Sequence, residues 1–168
     1  MSDWAFSVIA DPDLTCVVDP DVFDGVELGQ AAARWQPLSL NWMNPKLDVG
    51  DVANMSTELQ VFSGCSADAL GLEAFGDLLP LTIGGRPYFL FDCTWKVPEA
   101  AVVDIPGSTY IEAGKLVYMQ VLSVPPGDAP PVFRVAGQET FLIWSAPLAK
   151  RVLKACAGAV ILPWAHAA

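Results

Sequence analysis

Four cysteines, one histidine and several closely spaced aspartates are the residues of this chain whose chemistry could serve catalysis or metal binding. Cys16, Cys65, Cys93 and Cys156 are scattered with no CxxC pair, and His166 lies close to the C-terminus. A zinc centre draws its ligands from clustered pairs of Cys and His, so this spacing offers none. Nucleophilic catalysis would need a thiolate held beside a base. The least strained construction takes Cys65 near a helix N-terminus, where a thiolate is favoured, with His166 as base. No residue then stands out as orienting group or oxyanion donor. Asp19 and Asp21 could in principle do acid–base work. Acids two residues apart in a turn are common in soluble proteins, however. The cysteines read better as small buried hydrophobes in a reducing compartment. No catalytic residue, cofactor or metal ligand is assigned.

Charge placement says more than charge total. The chain has 168 residues, 53% hydrophobic and 17% charged, with net charge −10. Residues 1–77 hold thirteen acids against two bases, Arg34 and Lys46, a balance of −11; from Leu78 onward six acids meet seven bases, a balance of +1. Contacts to nucleic-acid phosphates need Lys and Arg, so direct DNA or RNA binding is disfavoured. An acidic surface suits a basic partner, because complementary potentials speed encounter and reject wrong partners. The competing role of these acids is to keep an apolar-rich protein soluble. No charge-free apolar run reaches the length of a membrane span, residues 155–168 being short and broken by Gly158 and Pro163. Asp3 stands where an export signal would carry Lys or Arg, so the expectation is a cytoplasmic protein. Length and composition predict a single domain, 1–168, around one shared core.

Periodicity predicts an α+β fold, mostly antiparallel β-sheet with two short helices packed on it. Residues 4–10 and 14–18 read as an opening hairpin across Asp11-Pro12-Asp13, and 35–43 as a strand with Leu38, Leu40 and Trp42 on one face. Residues 44–57 have turn chemistry and no period, which predicts the longest surface loop. Ser66 is placed to cap a helix over 67–75. A hairpin over 78–83 and 87–97 closes on Gly84-Gly85, its second strand apolar on both faces and hence central. Residues 102–105 and 115–124 predict further strands. Residues 124–131, rich in proline, form a stiff connection. The ending predicts strands at 132–135 and 140–144, a helix over 146–157 capped by Ser145, and a last strand at 159–162. Leu148, Val152, Ala155 and Cys156 form that helix's packing face; Lys150, Arg151 and Lys154 face solvent.

Leu78-Leu79-Pro80-Leu81 leading into Gly84-Gly85, the aromatic strand from Tyr88 to Trp95, and an ending with Phe133-Arg134, Phe141-Leu142-Ile143, a helix from Pro147 and a closing Gly158 resemble the immunity proteins of bacterial polymorphic toxin systems, and their eleventh family in particular. Weaker echoes lie in Glu27-Leu28-Gly29 and Arg34-Trp35-Gln36-Pro37. The better-matched stretch is 78–163, behind an acidic front half, residues 1–77. The resemblance implies an antitoxin that binds a cognate secreted toxin acting in the cytoplasm and neutralises it stoichiometrically, without catalysis and without a cofactor. The alternatives are an effector chaperone or adaptor, and a small cysteine-dependent enzyme.

A binding role directs attention to the turn and loop acids of the front half. Asp11, Asp13, Asp19, Asp21, Asp24, Glu27, Asp48 and Asp51 are the predicted contacts to a basic toxin, the competing reading of each being an ordinary solvated carboxylate. Trp35, Trp42 and Trp164 are candidate anchors that could equally belong to the core.

Overall fold

The computed structural model describes residues 4–17, 25–54, 59–98, 109–112, 116–119, 129–136 and 138–163. In chain order these form β1 (Trp4–Ala10), β2 (Thr15–Val17), β3 (Leu38–Leu40), β4 (Val49–Asn54), β5 (Gln60–Ser63), α1 (Gly64–Leu70), β6 (Gly76–Ile83), β7 (Arg86–Cys93), β8 (Lys96–Pro98), β9 (Thr109–Glu112), β10 (Leu116–Met119), β11 (Val132–Ala136), β12 (Gln138–Ser145), α2 (Ala146–Ala155) and β13 (Ala159–Pro163). One sheet has the order β13-β1-β12-β11-β8 and the other β2-β4-β5-β7-β6-β3, while β9 and β10 pair with each other. Pairing is antiparallel except for β2 with β4, β3 with β6 and β8 with β11. The α+β, largely antiparallel architecture expected from periodicity is the one observed.

Both faces of the six-stranded sheet are buried, and its strands alternate between two cores. Val52, Phe62 and Phe91 face the five-stranded sheet, where they join Val8, Val132, Leu142 and Trp144. The Trp144 ring meets Phe62 and Phe91 at centroid distances of 6.1 and 6.0 Å. Ala67 and Leu70 of α1, with Leu148, Ala149 and Val152 of α2, complete this core. The neighbouring residues Ala53, Val61 and Leu90 point the other way, into a second cluster covered by Val26, Ala31, Trp35, Leu38 and Trp42. Such strands lose the polar alternation of a half-buried sheet. A fully buried Leu or Phe contributes roughly 1.5–3 kcal/mol, which is how a strand as short as β5, buried at three of its four positions, holds its place.

Several sequence expectations need correction. β1 and β2 are not a hairpin: β1 pairs with β12 and β13, β2 with β4. The Asp11–Leu14 turn carries the chain from one sheet to the other, tied to the end of α2 by Asp11 N–H donating to Gly158 O at 2.8 Å. The predicted loop over 44–57 contains β4, missed because its residues serve opposite cores and show no period. The strand over 35–43 shrinks to three residues. α1 begins at Gly64 and ends where Gly71 takes φ +65°, and its cap is Ser63, whose Oγ accepts from Ser66 N–H. A 3-10 turn, Leu72–Ala74, follows. The strand over 87–97 is divided: β7 stops at Cys93, and β8 pairs with β11 in the other sheet.

Gly84 and Gly85, at φ +55° and +79°, close the β6–β7 hairpin as expected. Two positive φ values match the twist of the flanking strands and suit glycine. β7 lies centrally, between β5 and β6. The strand, strand, helix, strand ending is also as expected, although Ala155 is exposed rather than packed. Predicted strand 102–105 lies outside the described residues.

Candidate partner-binding surface

Of the eight predicted contact acids, Asp19, Asp21 and Asp24 lie outside the described residues. Asp13 and Asp48 are exposed, and Asp11 is partly so, its Oδ1 accepting from Asp13 N–H at 2.9 Å. Thr15 of β2 pairs with Val49 of β4 in parallel. That register puts the residues just before each strand, Asp13-Leu14 and Leu47-Asp48, at the same end of the sheet. Leu14 fits between two glycines: a Cβ on Gly50 or Gly158 would lie 2.8 or 2.0 Å from Leu14 Cδ1. Three predicted acids, Asp11, Asp13 and Asp48, are thereby gathered at one end of the six-stranded sheet, the end of the Gly84-Gly85 turn.

Glu27 is exposed and accepts from Gln30 Nε2 at 2.6 Å. It belongs to the other end, because residues 25–35 are fastened there by Asp92, six positions along β7 from Arg86 and so roughly 20 Å away at ~3.3 Å per residue. Asp51 does not sit in a turn or loop as expected. It lies within β4, half-buried, with Oδ1 accepting from Ser63 Oγ at 2.7 Å and Oδ2 from Ala157 N–H at 2.8 Å. Its own N–H donates to Ala157 O at 2.8 Å. Asp51 thus joins the cap of α1 to the chain leaving α2, and its carboxylate is engaged within the fold.

A buried ion pair escaped the sequence reading. Arg134 Nη2 lies 3.4 Å from Asp92 Oδ1 with both side chains fully buried. Asp92 also accepts from Gly29 N–H at 2.6 Å and Ala31 N–H at 2.9 Å, and Arg134 Nε donates to Cys93 O at 3.2 Å. An ionised carboxylate is tolerable at that depth because its oxygens are met by donors. One carboxylate therefore connects the two large sheets and the segment over 25–35. The signal was available: Asp92 and Arg134 are lone charges inside apolar strands, and such residues need each other.

Buried thiols and a phenol are held in their neutral forms. Burial pushes the Cys93 thiol up to about 11, partly opposed by its contact with Trp95 O. Cys156 is raised by the same cause. Burial and then the Asp51 charge push Tyr88 up to about 12, Arg86 acting the other way; its hydroxyl donates to Gly50 O at 2.8 Å. Cys65 is exposed at the start of α1, and His166 lies outside the described residues. Among the described residues no group of three His, Cys, Asp or Glu is placed to hold a metal ion. No helix there is long and apolar enough to cross a membrane.

The exposed apolar residues were also missed. Met43 is 57% and Leu47 38% exposed, and Trp95 and Leu153 are about half exposed. Met43 and Leu47 flank a tight turn in which Asn44 Oδ1 accepts from Lys46 N–H at 3.2 Å and Asn44 O from Leu47 N–H at 3.1 Å. Trp42, half-buried, anchors that turn, its ring edge-on to Tyr88 at 5.5 Å. Trp35 is likewise used internally, Nε1 donating to Pro80 O at 3.0 Å. The cation Arg151 is exposed as expected, and its Nη2 also donates to the Ala69 and Leu70 carbonyls at the end of α1. An open cleft of about 190 Å³ is bordered by Glu27, Gln30, Arg34 and Trp35. Another of about 320 Å³ lies among Phe75, Pro131, Pro147 and Arg151.

No protein-family model matches this chain, and no curated protein sequence matches it.

Proposed function

We propose that this protein acts by occupying the surface of another protein, as an immunity protein that neutralises a cognate toxin in the cytoplasm. The observation that carries the reading is the separation of its charged groups by role. Asp92, Arg134 and Asp51 are engaged inside the fold, whereas Asp13, Glu27 and Asp48 are exposed, Asp48 directly beside exposed Leu47. Exposed acids with adjoining apolar side chains suit a basic protein partner, whose cations steer encounter while apolar contacts hold the complex. The sequence resemblance of residues 78–163 to immunity proteins supplies the class of that partner. An inhibitor must share its target's compartment, so the cytoplasmic location expected from the sequence would imply a toxin that acts there.

Co-expression tests the reading. The protein encoded by the adjacent reading frame is induced in a host cell with and without this chain. Rescue of growth together with a stable complex of the two purified proteins is the expected result. Binding with altered export but no rescue would assign an adaptor role instead, and failure to associate would end the proposal.

A further inference from the structure

We infer that the partner is seated on the end of the molecule formed by the turn over 41–48 and the Asp11–Leu14 turn, with Met43 and Leu47 as its apolar centre and Asp13 and Asp48 as its acidic rim. The inference rests on the binding role proposed above and names the surface that performs it. Met43 and Leu47 are two of the four large hydrophobic side chains exposed among the described residues, and they lie four positions apart in one turn. Scattered apolar residues at a surface are ordinary, but a pair displayed on an ordered turn is a feature that needs a use.

The turn is built to hold its shape. Asn44 closes it through backbone and side chain, and Trp42 fixes its root by packing on Tyr88 and over Gly84, where a Cβ would come within 2.7 Å of the indole Nε1. Rigid display lowers the ordering cost of association. Beside it, the parallel register of Thr15 with Val49 sets Asp13 and Asp48 on the same end. Lys46 is the cation of the turn and Arg86 the nearest on the neighbouring hairpin, both exposed, while Asp11, Asp13 and Asp48 outnumber them. The occupant that fits is a protein face with an apolar depression bordered by Lys or Arg.

The experiment uses the full chain and, as probe, the protein encoded by the adjacent reading frame, with affinity and association rate measured for wild type and variants. Met43→Asp and Leu47→Asp should each weaken binding about 30-fold or more, the scale of an interface anchor. Leu153→Asp, on the exposed side of α2, should leave affinity unchanged. Asp13→Lys and Asp48→Lys should slow association several-fold at low salt and much less at high salt. Lys46→Ala should not weaken binding. Every substituted position is solvent-exposed, so unchanged melting temperatures should accompany each variant. Wild-type binding that survives both Met43→Asp and Leu47→Asp, or that weakens with Leu153→Asp instead, overturns the surface and leaves the binding role intact. Absence of wild-type binding removes the role and the surface with it.

Discussion

Arg134 of β11 and Asp92 of β7 meet at 3.4 Å, both side chains fully buried, at the junction of the two large sheets. The same carboxylate receives the Gly29 and Ala31 amides, so residues 25–35 are held over the second core by a group whose charge is balanced from the first. Sheet packing and the placement of that covering segment are therefore one problem with one solution. If either side chain were absent, the other would lose its charged neighbour at a fully buried position.

Removing both partners should accordingly cost less than the two single losses added together. Asp92→Ala is expected to destabilise the protein by about 3–5 kcal/mol, the usual loss when one member of a buried ion pair is removed, with the Gly29 and Ala31 amides losing their acceptor as well. Arg134→Met should cost less, since Asp92 keeps two backbone donors. In the double variant Asp92→Ala with Arg134→Met, the loss should fall well short of the sum. Urea denaturation of the three variants checks this, and strict additivity would mean that the two charges are energetically independent.

The turn after α2 depends on glycine at Gly158. Its φ is +73°, and an added Cβ would lie 2.0 Å from Leu14 Cδ1, inside any allowed contact. Gly158→Ala must therefore strain the backbone and also shift the Leu14 side chain that packs against Gly50. A loss of about 1–3 kcal/mol is expected from the backbone alone. Gly25→Ala, also at positive φ but with no atom within 4 Å of the new Cβ, is the comparison and should cost less. Thermal melting of the two variants separates strain from collision.

Stability at alkaline pH should fall in two stages. Cys93 is raised in the folded state to about 11 from 9.0, and Tyr88 to about 12 from 10.0, both chiefly by burial. Between the unfolded and folded values the unfolded chain has lost the proton that the folded chain retains, so stability decreases as pH rises. The contribution of Cys93 is fully present below pH 9.0 and lost by about 11; that of Tyr88 is present below 10.0 and lost by about 12. Urea midpoints measured from pH 8 upward should decline from about pH 9. Cys93→Ala should lessen the earlier stage of that decline, to which the raised Cys156 thiol also contributes, and leave the later one.

The sequence was most legible where local chemistry and tertiary placement agreed. Gly84-Gly85 admits almost no other turn, and Ser145 with Pro147 opens α2 with its Oγ accepting from Leu148 N–H. It was least legible where one strand serves two layers. Val52 and Ala53 are both fully buried but in opposite cores, which erases the alternation that would have revealed β4. The division of 86–98 between two sheets depends on Arg134 N–H donating to Trp95 O, a contact across 39 residues of sequence that no local pattern encodes. Among the site residues, exposure of Asp13, Glu27 and Asp48 follows from their turns. The internal role of Asp51 does not, because its partners Ser63 and Ala157 are distant in sequence.

Asp51 offers the sharpest separation of scaffold from surface. Its carboxylate accepts from Ser63 Oγ and Ala157 N–H, and replacement by alanine strands both donors near the ends of two helices. Each lost hydrogen bond of this kind costs about 0.5–1.5 kcal/mol, somewhat more where the acceptor is charged. Asp51→Ala should therefore destabilise the fold by about 1–3 kcal/mol and speed hydrogen exchange at the Ala157 amide. Asp48→Ala, three residues earlier and exposed, should change stability by no more than a few tenths of a kcal/mol. Equal losses from the two substitutions would show that the Asp51 contacts contribute nothing. A selective loss at Asp51 marks it as a residue of the framework, and makes Asp48 the one whose substitution can be read as an effect on binding.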